Sequence, residues 1–216
     1  MSDLPGFLAS RYDDLFELFL QHVQLVMVPI VVATVIAVGL ALLVEGNPIA
    51  REVVTTISAT SLTIPSLALF VLLIPLVGLG ATAAYIGLTI YAVYPIFVNA
   101  VTGLGTVDRN VLESARGMGM SGTQRVLRTK LPLAWPVILG GIRTTTTVLT
   151  SIAVAAAYVQ AGGFGELLFS GISRFGGTNA LASVIVGIAG TVVVALVLEA
   201  AFSVVQRLTV PRGIRA

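Results

Sequence analysis

The residues able to do chemistry fall into three sets, and none of them is a catalytic set. Arg143 and Glu199 are ionisable groups placed inside apolar runs. Tyr85, Tyr91, Tyr94, Phe97, Tyr158 and Phe164 offer aromatic faces, which attract a cation whose charge no deprotonation can remove. The interval 108–132, DRNVLESARGMGMSGTQRVLRTKLP, gathers Arg109, Arg116, Arg125, Arg128 and Lys130 between two apolar halves. No cysteine, no H-E-x-x-H, no G-x-S-x-G and no G-x-x-x-x-G-K-[ST] occurs, and His22 is the single histidine. The sequence therefore argues against an enzyme, a resident metal, and ATP hydrolysis by this chain. No cofactor is expected in it.

The elements that position these groups belong to a membrane. Of 216 residues 56% are hydrophobic and 10% charged, against about a quarter charged in a soluble domain, and the mean hydropathy is +1.01. That much apolar surface needs lipid as its solvent, so the class is an all-α integral membrane protein. Apolar runs at 23–44, 53–77, 83–104, 133–159 and 181–205 read as five spans. Pro65 and Pro75 interrupt the second, where Thr55, Thr56, Ser58, Thr60, Ser61 and Thr63 lie ready to satisfy freed carbonyls. Residues 1–21 lack the basic start of a signal peptide. Their pattern of Leu8, Tyr12, Leu15, Phe16 and Phe19 predicts an amphipathic helix lying on the membrane surface. Residues 22–216 form one membrane domain, His22 is expected at the interface, and 160–180 are expected as an external loop holding a short helix.

Charge sets the expected orientation. With the C-terminal tail inside, Arg51, Arg109, Arg116, Arg125, Arg128, Lys130, Arg207, Arg212 and Arg215 are cytoplasmic, and only Arg11 and Arg174 are outside. That bias puts the N-terminus outside, the C-terminus in the cytoplasm, and the 105–132 loop in the cytosol. Within the loop, Val107, Val111, Leu112, Ala115 and Met118 share one helical face, Gly117 and Gly119 break it, and Ser121 with Gln124 fits a capping box. Pro132 is expected to stop the second short helix. The result is a glycine-hinged knob, either resting on anionic lipid or docking a soluble partner.

This interval resembles the cytoplasmic signature of permease subunits of binding-protein-dependent ABC importers: E-A-A, three residues, G, nine residues, I-x-L-P. Here Glu113-Ser114-Ala115, Gly119 and Thr129-Lys130-Leu131-Pro132 stand at that spacing, with Ser114 and Thr129 as departures toward polarity. TIPSLALFVLLIPLVGLG, LTIYAVYPI, LPLAWPVILGGIRT and AGGFGELLFSGI resemble the osmoprotectant branch, the glycine betaine, carnitine and choline importers. The resemblance implies a MetI-like permease fold in the inner membrane, with a cytoplasmic coupling helix pair. Glu113, Ala115, Gly119, Leu131 and Pro132 would then meet an ATPase subunit. It implies two ATPase subunits holding ATP and magnesium, a second permease subunit, identical or homologous, and an extracytoplasmic binding protein. Membrane lipid is the solvent and no nucleic acid is involved. A permease for another amine or amino acid, or a secondary carrier, is the alternative.

For the path itself, Ser61, Thr63, Pro65, Tyr91, Tyr94, Asn99 and Thr147 are the candidates, because small and hydroxylated groups suit helix contacts and a polar route. The aromatics serve equally as packing or as interface belts, and Trp135 reads as belt. Arg143 is expected to snorkel to the cytoplasmic headgroups, with a Glu199–Arg143 pair as the alternative.

Overall fold

A computed structural model describes residues 4–210; the basic tail with Arg212 and Arg215, and residues 1–3, lie outside the described residues. Ten α-helices follow in order: α1 Leu4–Ser10, α2 Tyr12–Val44, α3 Pro48–Ser61, α4 Ser66–Val77, α5 Ala81–Gly105, α6 Arg109–Gly117, α7 Gly122–Arg125, α8 Leu131–Ala153, α9 Gly165–Ser173 and α10 Ala180–Thr209. A π turn, Val126–Lys130, joins α7 to α8, and a 3₁₀ turn, Val154–Val159, extends α8. No strand occurs among the described residues.

The stretches Tyr12–Val44, Ala81–Gly105, Gly122–Val159 and Ala180–Thr209 are long and apolar enough to cross a membrane; α3 with α4 makes a fifth span if that bent pair counts as one. The expected second span is sharply bent: the helix breaks after Ser61 and resumes at Ser66, with a bend of 95°. Pro65 stands in extended conformation at the start of α4, and proline pushes the residue before it out of the helical region. Hydroxyls take the local carbonyls on the approach: Ser61 Oγ donates to Ser58 O at 2.6 Å and Thr63 Oγ1 to Thr60 O at 2.8 Å. Prolines inside α2, α5 and α8 are tolerated without a break.

The core is α5 held between α2 and α8. Ala33, Ala37 and Ala41 on α2 are 0–1% exposed, and Ala84, Leu88, Ala92, Ile96 and Ala100 on α5 are fully buried. Spacing by four keeps each set on one face, and small residues let the backbones approach, which is where helix association in lipid finds its packing energy. Gly103 and Gly141 are the close points between α5 and α8. A Cβ at Gly103 would stand 2.9 Å from Ala134 O, and one at Gly141 would stand 2.6 Å from Asn99 Cγ.

At the N-terminus the helix boundary differs from the expected one. The break falls at Arg11, and Tyr12–Val44 runs as one helix of 33 residues, about 50 Å at 1.5 Å per residue. Residues 12–21 are continuous with the helix of the first apolar run. Leu18 is buried and Leu15 and Phe19 pack on the core, while Tyr12 and Phe16 are exposed.

His22, expected at an interface, is fully buried. Its Nε2 lies 3.1 Å from Thr150 O, and Phe164 N–H donates to its Nδ1 at 3.3 Å. A carbonyl on one nitrogen and an amide on the other dictate a neutral ring with its proton on Nε2. Gln21 Oε1 accepts from Gly163 N–H at 2.9 Å. One step of α2 thus collects the loop 161–164 and the last turns of α8. Gly163 has φ +81°, and a Cβ there would meet His22 Nδ1 at 2.9 Å. Replacing His22 by phenylalanine is therefore expected to strand two buried backbone groups, at about 1–3 kcal/mol each. A clear drop in detergent melting temperature should follow, smaller for His22→Gln, which keeps a donor and an acceptor.

Candidate functional site

The knob begins at Asp108, whose side chain caps α6 by accepting from Asn110 N–H at 2.8 Å. It turns at Gly119, with φ +81°. Gly119 N–H donates to Arg116 O at 3.0 Å and Met120 N–H to Ala115 O at 3.2 Å, the paired bonds of a Schellman ending that glycine adopts without strain. A Cβ at Gly119 would meet nothing within 4 Å, so backbone angle, and no neighbour within the chain, selects glycine. Gly117 needs no such angle. The expected capping box is present: Gln124 N–H donates to Ser121 Oγ at 3.3 Å and Ser121 N–H to Gln124 Oε1 at 2.9 Å.

Pro132 does not stop the second helix. The chain continues helically from Gly122 to Val159. Proline removes one N–H and crowds the carbonyl four residues back. The π turn just before it makes room: Leu131 N–H reaches Val126 O, five residues back. The knob is consequently continuous with α8. Lys130, at the end of that turn, forms an ion pair with Glu45 at the end of α2. Nothing in the spacing of these two residues announces this tie.

Of the residues carried by the signature, Ala115 is 2% exposed, Leu131 is half-buried, and Glu113, Gly119 and Pro132 are exposed. Glu113 and Gly119 therefore offer a surface, whereas Ala115 packs inside the knob.

The path candidates separate into three places. Ser61, Thr63, Pro65 and Tyr91 meet at the break between α3 and α4, where the Tyr91 hydroxyl donates to Ile64 O. Asn99 belongs to the α5–α8 contact and donates to Pro95 O at 2.8 Å, and Tyr94 is half-buried on α5. Thr147 is exposed on α8 beside a groove of about 380 Å³ that it shares with Arg143, Thr144 and Glu199. The aromatics do not converge on one cage. Phe97 and Phe164 are buried, Tyr85 is half-buried, and Tyr158 stands exposed with its ring edge-on to Phe169 at 4.3 Å between centroids. Trp135 is tethered as well as peripheral: its Nε1–H donates to Thr209 Oγ1 at 2.9 Å.

Arg143 does not simply snorkel. Its Nε donates to Glu199 Oε1 at 2.7 Å, Nη2 reaches the same oxygen, and Nη1 donates to Gln206 Oε1 at 3.0 Å. Both charged side chains keep about a third of their surface open, 33% and 39%. Glu199 lies ten residues from the end of α10, about 15 Å at 1.5 Å per residue. An ion pair within an apolar helix is costly against hydrocarbon, so this face of α8 and α10 favours water or another protein surface beside it.

A bundle of apolar helices, one of them broken, with a folded polar knob between its halves, is the architecture of a multi-pass membrane protein. Residues 30–210 match the family described as binding-protein-dependent transport system inner membrane component, and the chain belongs to that family. It is 30% identical over 216 residues to the glycine betaine/carnitine/choline transport system permease protein OpuCB of Bacillus subtilis, covering 100% of this chain and 97% of that one. It is 35% identical over 220 residues to the osmoprotectant import permease protein OsmW of Salmonella typhimurium, with the same coverage. Among solved structures, the inward-facing MetNI methionine ABC transporter superposes with a TM-score of 0.78 at 23% identity, covering 98% of this chain and 100% of that one. An amino acid ABC transporter gives 0.70 at 17%, covering 96% and 99%. These structures speak for the fold.

The Arg143–Glu199 contact makes the two residues interdependent. Alanine at both positions is expected to cost less than the sum of the single losses, with a coupling of about 1 kcal/mol or more in unfolding free energy. Additive losses in that double-mutant cycle would show that the pair contributes nothing.

Proposed function

We propose that this chain is the translocation subunit of an ATP-driven importer for a compatible solute of the quaternary ammonium class: glycine betaine, carnitine, choline or a close analogue. The observation that carries this is full-length similarity to permeases of that branch, 100% of this chain against 97% of OpuCB and of OsmW. In this reading the chain sits in the cytoplasmic membrane with five spans, its N-terminus outside and its C-terminus in the cytosol. A second permease subunit, identical or homologous, completes the path. Two ATPase subunits hold ATP and magnesium, and a binding protein delivers solute on the outer side. The alternative within the family is a permease for another amine or an amino acid, since permeases of methionine and amino acid transporters share the fold.

The mechanism follows from mechanical continuity. The ATPases grip the 105–132 loop through Glu113, Gly119 and the exposed ring of Pro132, with Ala115 and Leu131 keeping the knob's shape. Nucleotide-driven closure displaces the two knobs together. On the α5 side the knob joins through the short link at Thr106–Asp108, where α5 ends at Gly105 and α6 begins at Arg109. On the other side the helix is continuous from Gly122, so displacement passes into α8 and to the groove bearing Arg143 and Thr147. The Lys130–Glu45 ion pair carries the same movement to α2. Two such chains, with their polar grooves turned inward, keep the Arg143–Glu199 pair out of lipid.

The test is uptake by the reconstituted complex with ATPase and binding protein, comparing labelled glycine betaine, carnitine, choline and methionine. ATP-dependent accumulation of the quaternary amines is expected; accumulation without the ATPase would support a secondary carrier. Gly119→Asn should retain much of the uptake, because asparagine accepts the left-handed angle. Gly119→Trp meets nothing within the chain but is strained at φ +81° by about 1–2 kcal/mol. It should lose ATP-dependent uptake and ATPase co-purification, and a melting temperature close to that of Gly119→Asn would assign the loss to the blocked surface and not to the strained turn.

A further inference from the structure

At the end of the bundle that bears the knob, two adjoining clefts of about 250 Å³ and 330 Å³ share Glu45, Leu112 and Lys130. Arg51 and Arg109 line the first, and Arg125 lines the second. Four cations against one carboxylate leave a net charge of +3 at neutral pH. The single acid is already engaged, since Glu45 pairs with Lys130. Among the described residues neither Arg51 nor Arg109 has an acidic partner within ion-pair distance, and the Nε of Arg125 is shielded from solvent with no hydrogen-bond acceptor. A shielded guanidinium nitrogen without an acceptor costs free energy, and Arg125 adds its positive charge to the wall of the second cleft.

We propose that this double cleft is a binding site for a phosphate group, that of an anionic phospholipid. Its position favours the lipid source. The cleft opens where α2 ends, α3 begins and α6 leaves α5, at the boundary of the apolar spans. Its inner wall is apolar, formed by Ala41, Val101 and Leu104. A free anion has no use for such a wall, whereas the glycerol and first acyl carbons beneath a phosphodiester do. Basic pockets between membrane helices are known takers of anionic headgroups. The site lies behind the knob, between it and the bundle, so a bound lipid would brace the Lys130–Glu45 tie without occupying the knob's exposed turn at Gly119.

The importer complex, reconstituted in phosphatidylcholine nanodiscs with and without phosphatidylglycerol, is extracted and its retained lipids are weighed by native mass spectrometry. Phosphatidylglycerol should be retained in preference to phosphatidylcholine. Arg51→Gln and Arg109→Gln should each lower that preference about fivefold, the equivalent of ~1 kcal/mol per cation. Arg116→Gln and Arg128→Gln, which remove the same charge outside the cleft, should leave it unchanged. Glu45→Gln should raise it, because it frees Lys130. Displacement of the lipid by inorganic phosphate alone would move the source to a free anion. Equal losses from all four arginine variants, or absence of any lipid preference, would overturn the site. So would an effect of Arg51→Gln and Arg109→Gln on ATPase association alone, which would assign the cations to the protein partner.

Discussion

A peptide group released inside an apolar bundle has no water to turn to, so each break in a spanning helix must be met by a partner from a neighbouring element. Two breaks organise this protein, and each is met by one polar side chain on a continuous helix. Tyr91 on α5 takes the Ile64 carbonyl where the second span bends. His22 on α2 takes Thr150 O and Phe164 N–H together, with Gln21 beside it on Gly163 N–H. The loop after Gly78 is tied in the same way, Gly80 N–H donating to Val159 O at 2.7 Å. These bonds join α2, α5, α8 and α9 at their polar interruptions, while alanine and glycine faces bring the same helices close along their apolar lengths.

The knob obeys the opposite constraint. It stands in a wet environment, where its own caps close it: Asp108 at the start, the Gly119 ending in the middle, and the Ser121–Gln124 box after it. A self-capped unit can move as a body. Its junction with α8 carries a π turn in place of a loop, so the knob runs on into α8 without a break. Charges concentrate where the knob meets the bundle, at Lys130–Glu45 and the surrounding arginines. The deeper Arg143–Glu199 pair marks a face that does not belong to hydrocarbon.

Much of this was legible in the sequence because it is local. Apolar runs located the long helices, closely for Ala81–Gly105 and Ala180–Thr209 but eleven residues short at the starts of Tyr12–Val44 and Gly122–Val159. The Ser121–Gln124 box and the turn at Gly119 follow from residue types within one helical turn. The spacing from Glu113 to Pro132 placed the chain in its family. Where the reading failed, a distant partner had overridden a local rule. His22 read as interfacial, since a lone histidine at the start of an apolar run carries no sign of a carbonyl 128 residues away. Pro132 read as a helix stop, since a widened turn is invisible in composition. Residues 12–21 read as a surface helix, since their amphipathic face looks the same whether it rests on lipid or on the bundle through Leu15, Leu18 and Phe19.

Sequence by itself therefore determined the solvent, the number of apolar runs, the polar interval and the family. Each depends on composition or on short-range periodicity, and neither needs a fold to be expressed. Tertiary structure alone decided how the breaks are satisfied, that α7 runs on into α8, and that Arg143 meets Glu199, 56 residues away. The physical reason is the same in each case. A buried polar group is stable only beside its complement, and in a bundle that complement comes from another helix.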